Sequence, residues 1–207
     1  GRKTTIHLPD GTIVNLNSES RFKYIDDVKN HRRILQLEGE AFFEVAEDKE
    51  KPFTVVTGDI STTALGTSFN VRAYPEESEY RIVLLTGKVE IASNNPEELK
   101  KIYLAPGFGV TYDKKATELI KYNFDEKFEL GWKNSTLYFD EANIDQVVKD
   151  LERWYGVNIK IENKNKVGQW KYSSKFENES LENVLKGISY IQEFKFEIKE
   201  KEVTLEF

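Results

Sequence analysis

Thr62-Thr63-Ala64-Leu65-Gly66-Thr67-Ser68-Phe69-Asn70-Val71-Arg72-Ala73-Tyr74 is the stretch around which the rest of the chain reads as strands. Leu65, Phe69 and Val71 are apolar, and Gly66, Thr67 and Ser68 between them carry almost no side-chain bulk. A glycine in a strand pattern gives up packing and conformational entropy, so it marks a bulge or a place where another backbone segment comes close. Leu65 to Val71 is therefore expected to be an inner strand of an all-β domain. Ser68 invites a second reading, as the nucleophile of a Gly-x-Ser-x-Gly elbow. That elbow needs a sharp strand-to-helix turn and a second glycine, whereas Asn70 stands at the second glycine position and no helical pattern follows. His7 and His31 are the only histidines that would serve as its base.

The flanking sequence agrees with an all-β reading. Thr4 to Leu8 alternates, Pro9-Asp10-Gly11 is a turn in which proline presets one dihedral and glycine accepts a positive φ, and Thr12 to Leu16 resumes the extended pattern. Short alternating runs follow at Phe22 to Ile25, Arg33 to Leu37, Phe42 to Val45, Phe53 to Val56 and Ile60 to Ala64. Beyond the central stretch come Tyr80 to Leu85, Val89 to Ile91, Ile102 to Leu104 and Val110 to Tyr112. Strands of this length with turn residues between them indicate a sandwich, a barrel or a β-solenoid. Nothing before Gly131 carries a helical period. The polar loop Ser93 to Glu98 reads as a long exposed hairpin, and Gly107 and Gly109 around Phe108 read either as an aromatic presented at a contact surface or as a ring covering the end of the core.

After Trp132 the period changes. Ile144, Val147, Val148, Leu151, Trp154 and Tyr155 recur at helical spacing, with Asn143 at the N-cap, Gln146 three residues on and Gly156 as the stop. Leu181, Val184, Leu185, Ile188 and Ile191 give a second helix, introduced by Ser180, in which Gly187 costs about 1 kcal/mol against alanine. Strand patterns at Thr136 to Phe139, Val157 to Ile161, Trp170 to Phe176, Phe194 to Ile198 and Val203 to Phe207 surround the two helices. The fold class is therefore mainly β with α+β. An all-β domain spans Thr4 to Asn123 and is followed by a small domain of two βαβ halves from Trp132 to Phe207.

The totals describe a folded protein: 207 residues, 39% hydrophobic, 32% charged and 13% aromatic. A net charge of -6 with neither half basic argues against nucleic acid. No apolar run reaches the length of a membrane span, no signal peptide opens the chain and there is no methionine, which reads as a segment of a longer protein with Gly1 left from a cleaved tag. Cysteine is absent, and with two histidines the sequence offers no metal site, no calcium loop and no phosphate loop, so neither metal nor cofactor is expected. Glu38, Glu40 and Glu44 are the best carboxylates for a glycosidase, and Trp132, Trp154 and Trp170 for a sugar platform, but 36 acids produce such groupings by chance. No enzymatic chemistry is expected.

Several of these runs, taken in order, resemble a known family. Leu8-Pro9-Asp10-Gly11-Thr12, Leu37-Glu38-Gly39-Glu40-Ala41-Phe42-Phe43-Glu44-Val45, Pro52-Phe53-Thr54-Val55, Leu65-Gly66-Thr67-Ser68-Phe69-Asn70-Val71, Leu84 to Val89 and Leu104-Ala105-Pro106-Gly107 are similar to the successive motifs of FecR-type sigma regulators. Phe108-Gly109 departs from the polar pair usual after the Pro-Gly. Trp132, Leu137-Tyr138-Phe139, Leu151 to Tyr155 and Phe176 to Leu185 resemble the small domain that follows FecR domains in Bacteroidetes. That domain is in turn similar to the signalling domain of TonB-dependent outer-membrane transducers and of secretins.

The resemblance implies the periplasmic sensor region of a single-pass inner-membrane anti-sigma factor, attached to the membrane through a helix outside this chain. It implies three partners: the N-terminal signalling domain of a TonB-dependent outer-membrane transporter, an ECF sigma factor held by a cytoplasmic part, and a regulatory protease. Strand addition to an exposed sheet edge is the physical mode such recognition would use. Val157, Ile159 and Ile161 form one candidate edge, Val203 and Leu205 the other, and Phe108 is a further candidate contact. The rival reading is a carbohydrate-binding β module without catalytic activity, working through exposed aromatics and the acids from Glu38 to Glu44.

Overall fold

Side-chain alternation sets up strands from the first residues onward. β1 (Thr4–His7) and β2 (Ile13–Leu16) form an antiparallel hairpin whose Gly11 takes φ +87°. Asp10 Oδ1 accepts the Thr12 amide at 3.0 Å and fixes the turn. There follow β3 (Arg21–Asp27), β4 (Arg32–Glu44), β5 (Phe53–Thr57), β6 (Ile60–Ala64), β7 (Ser68–Ala73), β8 (Glu79–Thr86), β9 (Val89–Ser93), β10 (Lys101–Leu104), β11 (Phe108–Asp113) and β12 (Glu118–Asn123). The computed structural model describes residues 1–94, 101–167 and 170–207. Most of the polar loop from Ser93 to Glu98 thus lies outside the described residues, while β9 and β10 on either side of it pair antiparallel.

Two layers share β4. Its first half pairs with β3 and, in parallel, with β5, and that layer continues through β6 and β9 to β10. Its second half pairs with β2 and β7, and the other layer continues through β8 and β11 to β12. Gly39 lies where the strand passes from one layer to the other, at φ +103°, and a Cβ there would lie 2.7 Å from Ser20 Cα. The inner faces interdigitate in one core: Leu35, Phe53 and Ile91 from one layer and Val14, Phe43 and Phe69 from the other are fully shielded. The ring of Phe43 lies 5.0 Å from that of Phe69 and 6.1 Å from that of Phe53. Of the forms open to an all-β domain, this is the sandwich.

The central stretch is not one inner strand. β6 ends at Ala64 in one layer and β7 begins at Ser68 in the other, so Leu65, Gly66 and Thr67 are the crossing between them, and Leu65 is 44% exposed. The close approach expected of Gly66 does occur there. It sits at φ +59° and a Cβ would stand 3.0 Å from that of Glu47. A second difference is α1 (Glu126–Leu130), a helix where none was expected, whose first turn is held by Asp125 Oδ1 accepting the Lys127 amide at 3.1 Å. Five residues are too few to display a period.

The chain folds as two compact units, Lys3–Glu129 and a second formed by Leu130–Phe207 with Gly1–Arg2. The second contains β13 (Thr136–Ala142), α2 (Ile144–Tyr155), β14 (Asn158–Glu162), β15 (Tyr172–Glu177), α3 (Leu181–Gln192), β16 (Lys195–Lys199) and β17 (Glu202–Glu206). The order of elements is the one the periodicity indicates, but the two halves pair with each other. β13 pairs antiparallel with β15, while β14 pairs in parallel with β17, which pairs antiparallel with β16. Asn143 Oδ1 accepts the Gln146 amide at 3.0 Å and Gln146 Oε1 the Asn143 amide at 2.9 Å, a complete capping box. Gly187 has a packing reason: a Cβ there would meet the Phe176 ring at 3.2 Å.

Candidate functional site

The backbone edges of the three-stranded sheet β14-β17-β16 are where the sequence places partner recognition. Val203 and Leu205 do not lie on an edge. β17 is the central strand, with β14 on one side and β16 on the other, and these two side chains are 0% and 2% exposed in the core of the unit. Their amides and carbonyls are used by the neighbouring strands, so nothing is left for an added strand to satisfy. The last strand of the chain looks like an edge in sequence; the parallel pairing of β14, more than forty positions away from it in the chain, is what encloses it.

β14 does lie at the edge of its sheet. Val157 precedes it and is half-buried, Ile159 points into the core at 9% exposure, and Ile161 is half-buried. The Ile159 amide donates to Glu152 Oε1 at 2.7 Å, a side chain of the last turn of α2. Phe108, at the start of β11, is half-buried against the sandwich core with the Lys121 ammonium 4.1 Å from its ring centroid. Its neighbour Gly109 has an ordinary φ. It is glycine because a Cβ would lie 2.8 Å from the Tyr122 ring and 2.9 Å from Val83.

The carboxylates named from the sequence do not share an environment. Glu38 is exposed beside Arg21, Glu44 is exposed, and Glu40 is buried. The Glu40 carboxylate accepts from Asn17 Nδ2 at 2.8 Å and Asn70 Nδ2 at 2.9 Å, with Arg72 Nη1 at 3.6 Å. Burial pushes its carboxyl above the ordinary value, against Arg72, Asn70 and Asn17, which favour the ionised form. Lys3 is brought down to about 8 by burial, with Glu40 acting in the opposite direction. Trp132 is 8% exposed, Trp154 and Trp170 are half-buried, and Trp170 stands edge-on to Tyr172 at 6.2 Å. No exposed tryptophan platform exists among the described residues. Ser68 sits in the ladder of β7 between Glu44 and Thr86, away from any strand-to-helix turn. Among the described residues no cluster of three metal-ligating side chains occurs.

The largest exposed apolar side chains of the small unit were not found from the sequence as a surface. Tyr190 is 88% exposed and Ile191 60% exposed, both in the last turns of α3. The helical spacing assigns Ile191 to the buried stripe. The signal that would have corrected it is the number of strands available to cover that stripe, which only the pairing order reveals.

The fold is thus a β-rich sandwich followed by a small α+β unit whose two halves pair with each other. The chain belongs to the FecR family: residues 1–90 match the family described as FecR protein, and residues 136–205 the one described as FecR, C-terminal. Crystal structures of a candidate anti-sigma factor from Parabacteroides distasonis, at 1.65 and 2.50 Å resolution, are 34% identical to it in sequence. They superpose with TM-scores of 0.84 and 0.85 over 99% and 100% of this chain and 94% of theirs. No curated protein matches the chain in sequence. FecR proteins are membrane anti-sigma factors, and the family is regulatory.

Proposed function

We propose that this chain is the periplasmic sensor region of a transmembrane anti-sigma factor, receiving a signal from a TonB-dependent outer-membrane transducer and controlling release of an ECF sigma factor. The observation that carries this reading is the extent of the likeness: it covers both units and 94% of the chain of a candidate anti-sigma factor. The sandwich from Thr4 to Asn123 and the small domain from Trp132 to Phe207 act as the two functional domains. No helix among the described residues is long and apolar enough to cross a membrane.

Recognition on this reading is main-chain chemistry. A strand of the transducer's signalling domain supplies carbonyls and amides to an open edge, and alternate side chains read the flanking surface. Proteolysis of the regulator then frees the sigma factor. The test is calorimetric titration of this chain with the purified N-terminal signalling domain of the transporter encoded beside it. Saturable one-to-one binding is expected. Absence of binding at high micromolar concentration, with heat from a panel of glycans instead, overturns the reading.

A further inference from the structure

We propose that the docking edge is β16, where an extended strand from the partner adds to the sheet beside the last turn of α3; this rests on the sensor reading above. Val184, Ile188 and Ile191 stand at i, i+4 and i+7, on one face of α3. The first two are 0% and 1% exposed, and the third is 60% exposed. α3 packs on β16, and β16 ends its sheet. The apolar stripe of the helix therefore continues past the point where the sheet stops covering it. A fourth strand supplies the missing cover for Ile191 and its neighbour Tyr190.

The two edges of this sheet differ in what their backbones offer. Successive residues of a strand turn their amides and carbonyls to opposite sides. The Asn158 amide donates to the Lys201 carbonyl at 2.7 Å, so Asn158, Lys160 and Glu162 face β17 while Ile159 and Ile161 face outward. Glu152 already occupies the outward amide of Ile159. On β16 the same alternation leaves Phe196 and Ile198 outward, and no side chain among the described residues caps their amides. Their side chains are half-buried although they lie opposite Leu205 and Val203, the two most shielded positions of the sheet.

Charge selects the occupant. The exposed face of β16 carries Lys195, Glu197 and Lys199, with Glu197 paired to Lys199 at 2.9 Å and no ion-pair partner for Lys195 among the described residues. A second copy of this chain, paired antiparallel through both outward residues, sets Glu197 opposite Glu197 and Lys195 opposite Lys199. Like charges directly opposite destabilise a ladder. The occupant is thus a different chain: an extended segment with apolar residues toward α3 and an acid opposite Lys195.

The test repeats the titration of the whole chain with the purified signalling domain, using three variants. Ile198→Pro removes an outward amide without touching the ladder to β17 and is expected to abolish binding. Ile191→Asp alters a side chain that is already exposed and is expected to weaken binding about tenfold. Ile161→Pro, the equivalent change on β14, leaves the affinity unchanged. If circular dichroism shows Ile198→Pro unfolded, Ile191→Asp decides alone. Full affinity in Ile198→Pro and Ile191→Asp overturns the β16 assignment while leaving the sensor reading standing, as does binding lost only in Ile161→Pro. A dimer of this chain in sedimentation that Ile191→Asp dissociates overturns it too. No binding by the unaltered chain removes both.

Discussion

The two units bury their strands to different depths. In the sandwich, β4 has strands on both sides over Arg33–Gln36 and again over Ala41–Glu44, and Leu35, Ala41 and Phe43 on it are each fully shielded. Among the described residues of the small unit, only β17 has two neighbours in its sheet. Ile198 on β16 lies directly opposite Val203 on β17, yet one is half-buried and the other fully buried. Both are β-branched aliphatics, so place in the ladder, rather than hydrophobicity, decides their shielding. Exposed apolar side chains occur in both units, Leu65, Tyr103, Ile120 and Phe128 in the first and Tyr190 and Ile191 in the second, but the two most exposed are in the second.

The largest effect that would sharpen this contrast is in the sandwich. Phe43→Ala removes a ring packed between Phe69 and Phe53 where neither layer can collapse, and should cost about 4 kcal/mol, read as a large downward shift of the sandwich transition in calorimetry. A cost near that of an edge residue would break the comparison.

The sandwich also shields charge, and this gives the next effect. Glu40→Ala leaves two buried asparagine amides without their acceptor and should cost about 3 kcal/mol. Glu40→Gln tests the titration separately. Because the folded carboxyl titrates above its ordinary value of 4.5, the folded protein holds a proton over a window where the unfolded chain has released it. Stability therefore falls as pH rises through that window, and this slope is absent from Glu40→Gln. Denaturant midpoints of the two proteins should diverge as pH rises above the ordinary carboxyl value of 4.5, the wild type declining relative to the variant. Parallel curves would mean the carboxylate is as well solvated by Asn17, Asn70 and Arg72 as by water.

What was legible in the sequence follows the same division between local and long-range causes. Alternation marks nearly every strand, and Asn143, Gln146, Gly156 and Ser180 mark the helix ends, because each signal is written within a few residues. Arg33 to Leu37 and Phe42 to Val45 read as two separate runs, and the structure carries one strand through both, since the bend between them is taken up at Gly39 in a single positive φ against Ser20. Leu65 to Val71 reads as one strand because the change of layer at Gly66 depends on the distant partners β9 for β6 and β4 for β7, which no local pattern records. The same limit hides the candidate site. Whether Val203 or Ile198 is at an edge depends on β14 reaching β17, and no pattern inside either segment records it.

A smaller pair of substitutions reads that pairing order directly. Val203→Ala should cost about 2 kcal/mol and Ile198→Ala about 1, although the second removes more carbon atoms. All three tryptophans, Trp132, Trp154 and Trp170, fall within Leu130–Phe207, so the fluorescence transition reports this unit. Equal costs, or a larger one at Ile198, would mean that β16 is already covered in the free protein and would remove the contrast between centre and edge.

The smallest effect expected is at a helix start, where burial plays no part. Asn143 is exposed, and its side-chain oxygen accepts the Gln146 amide while Gln146 returns a bond to the Asn143 amide. Asn143→Ala loses the first bond and leaves the first turn of α2 with one more donor to be satisfied by water, a cost of about 1 kcal/mol. Because Glu152, which holds β14 through the Ile159 amide, lies in the last turn of α2, fraying the start of the helix should leave that bond in place. Hydrogen exchange would show it: faster exchange at Gln146 and Val147 with protection unchanged at Ile159. Loss of protection at Ile159 as well would mean that α2 and the β14 edge open as one cooperative unit.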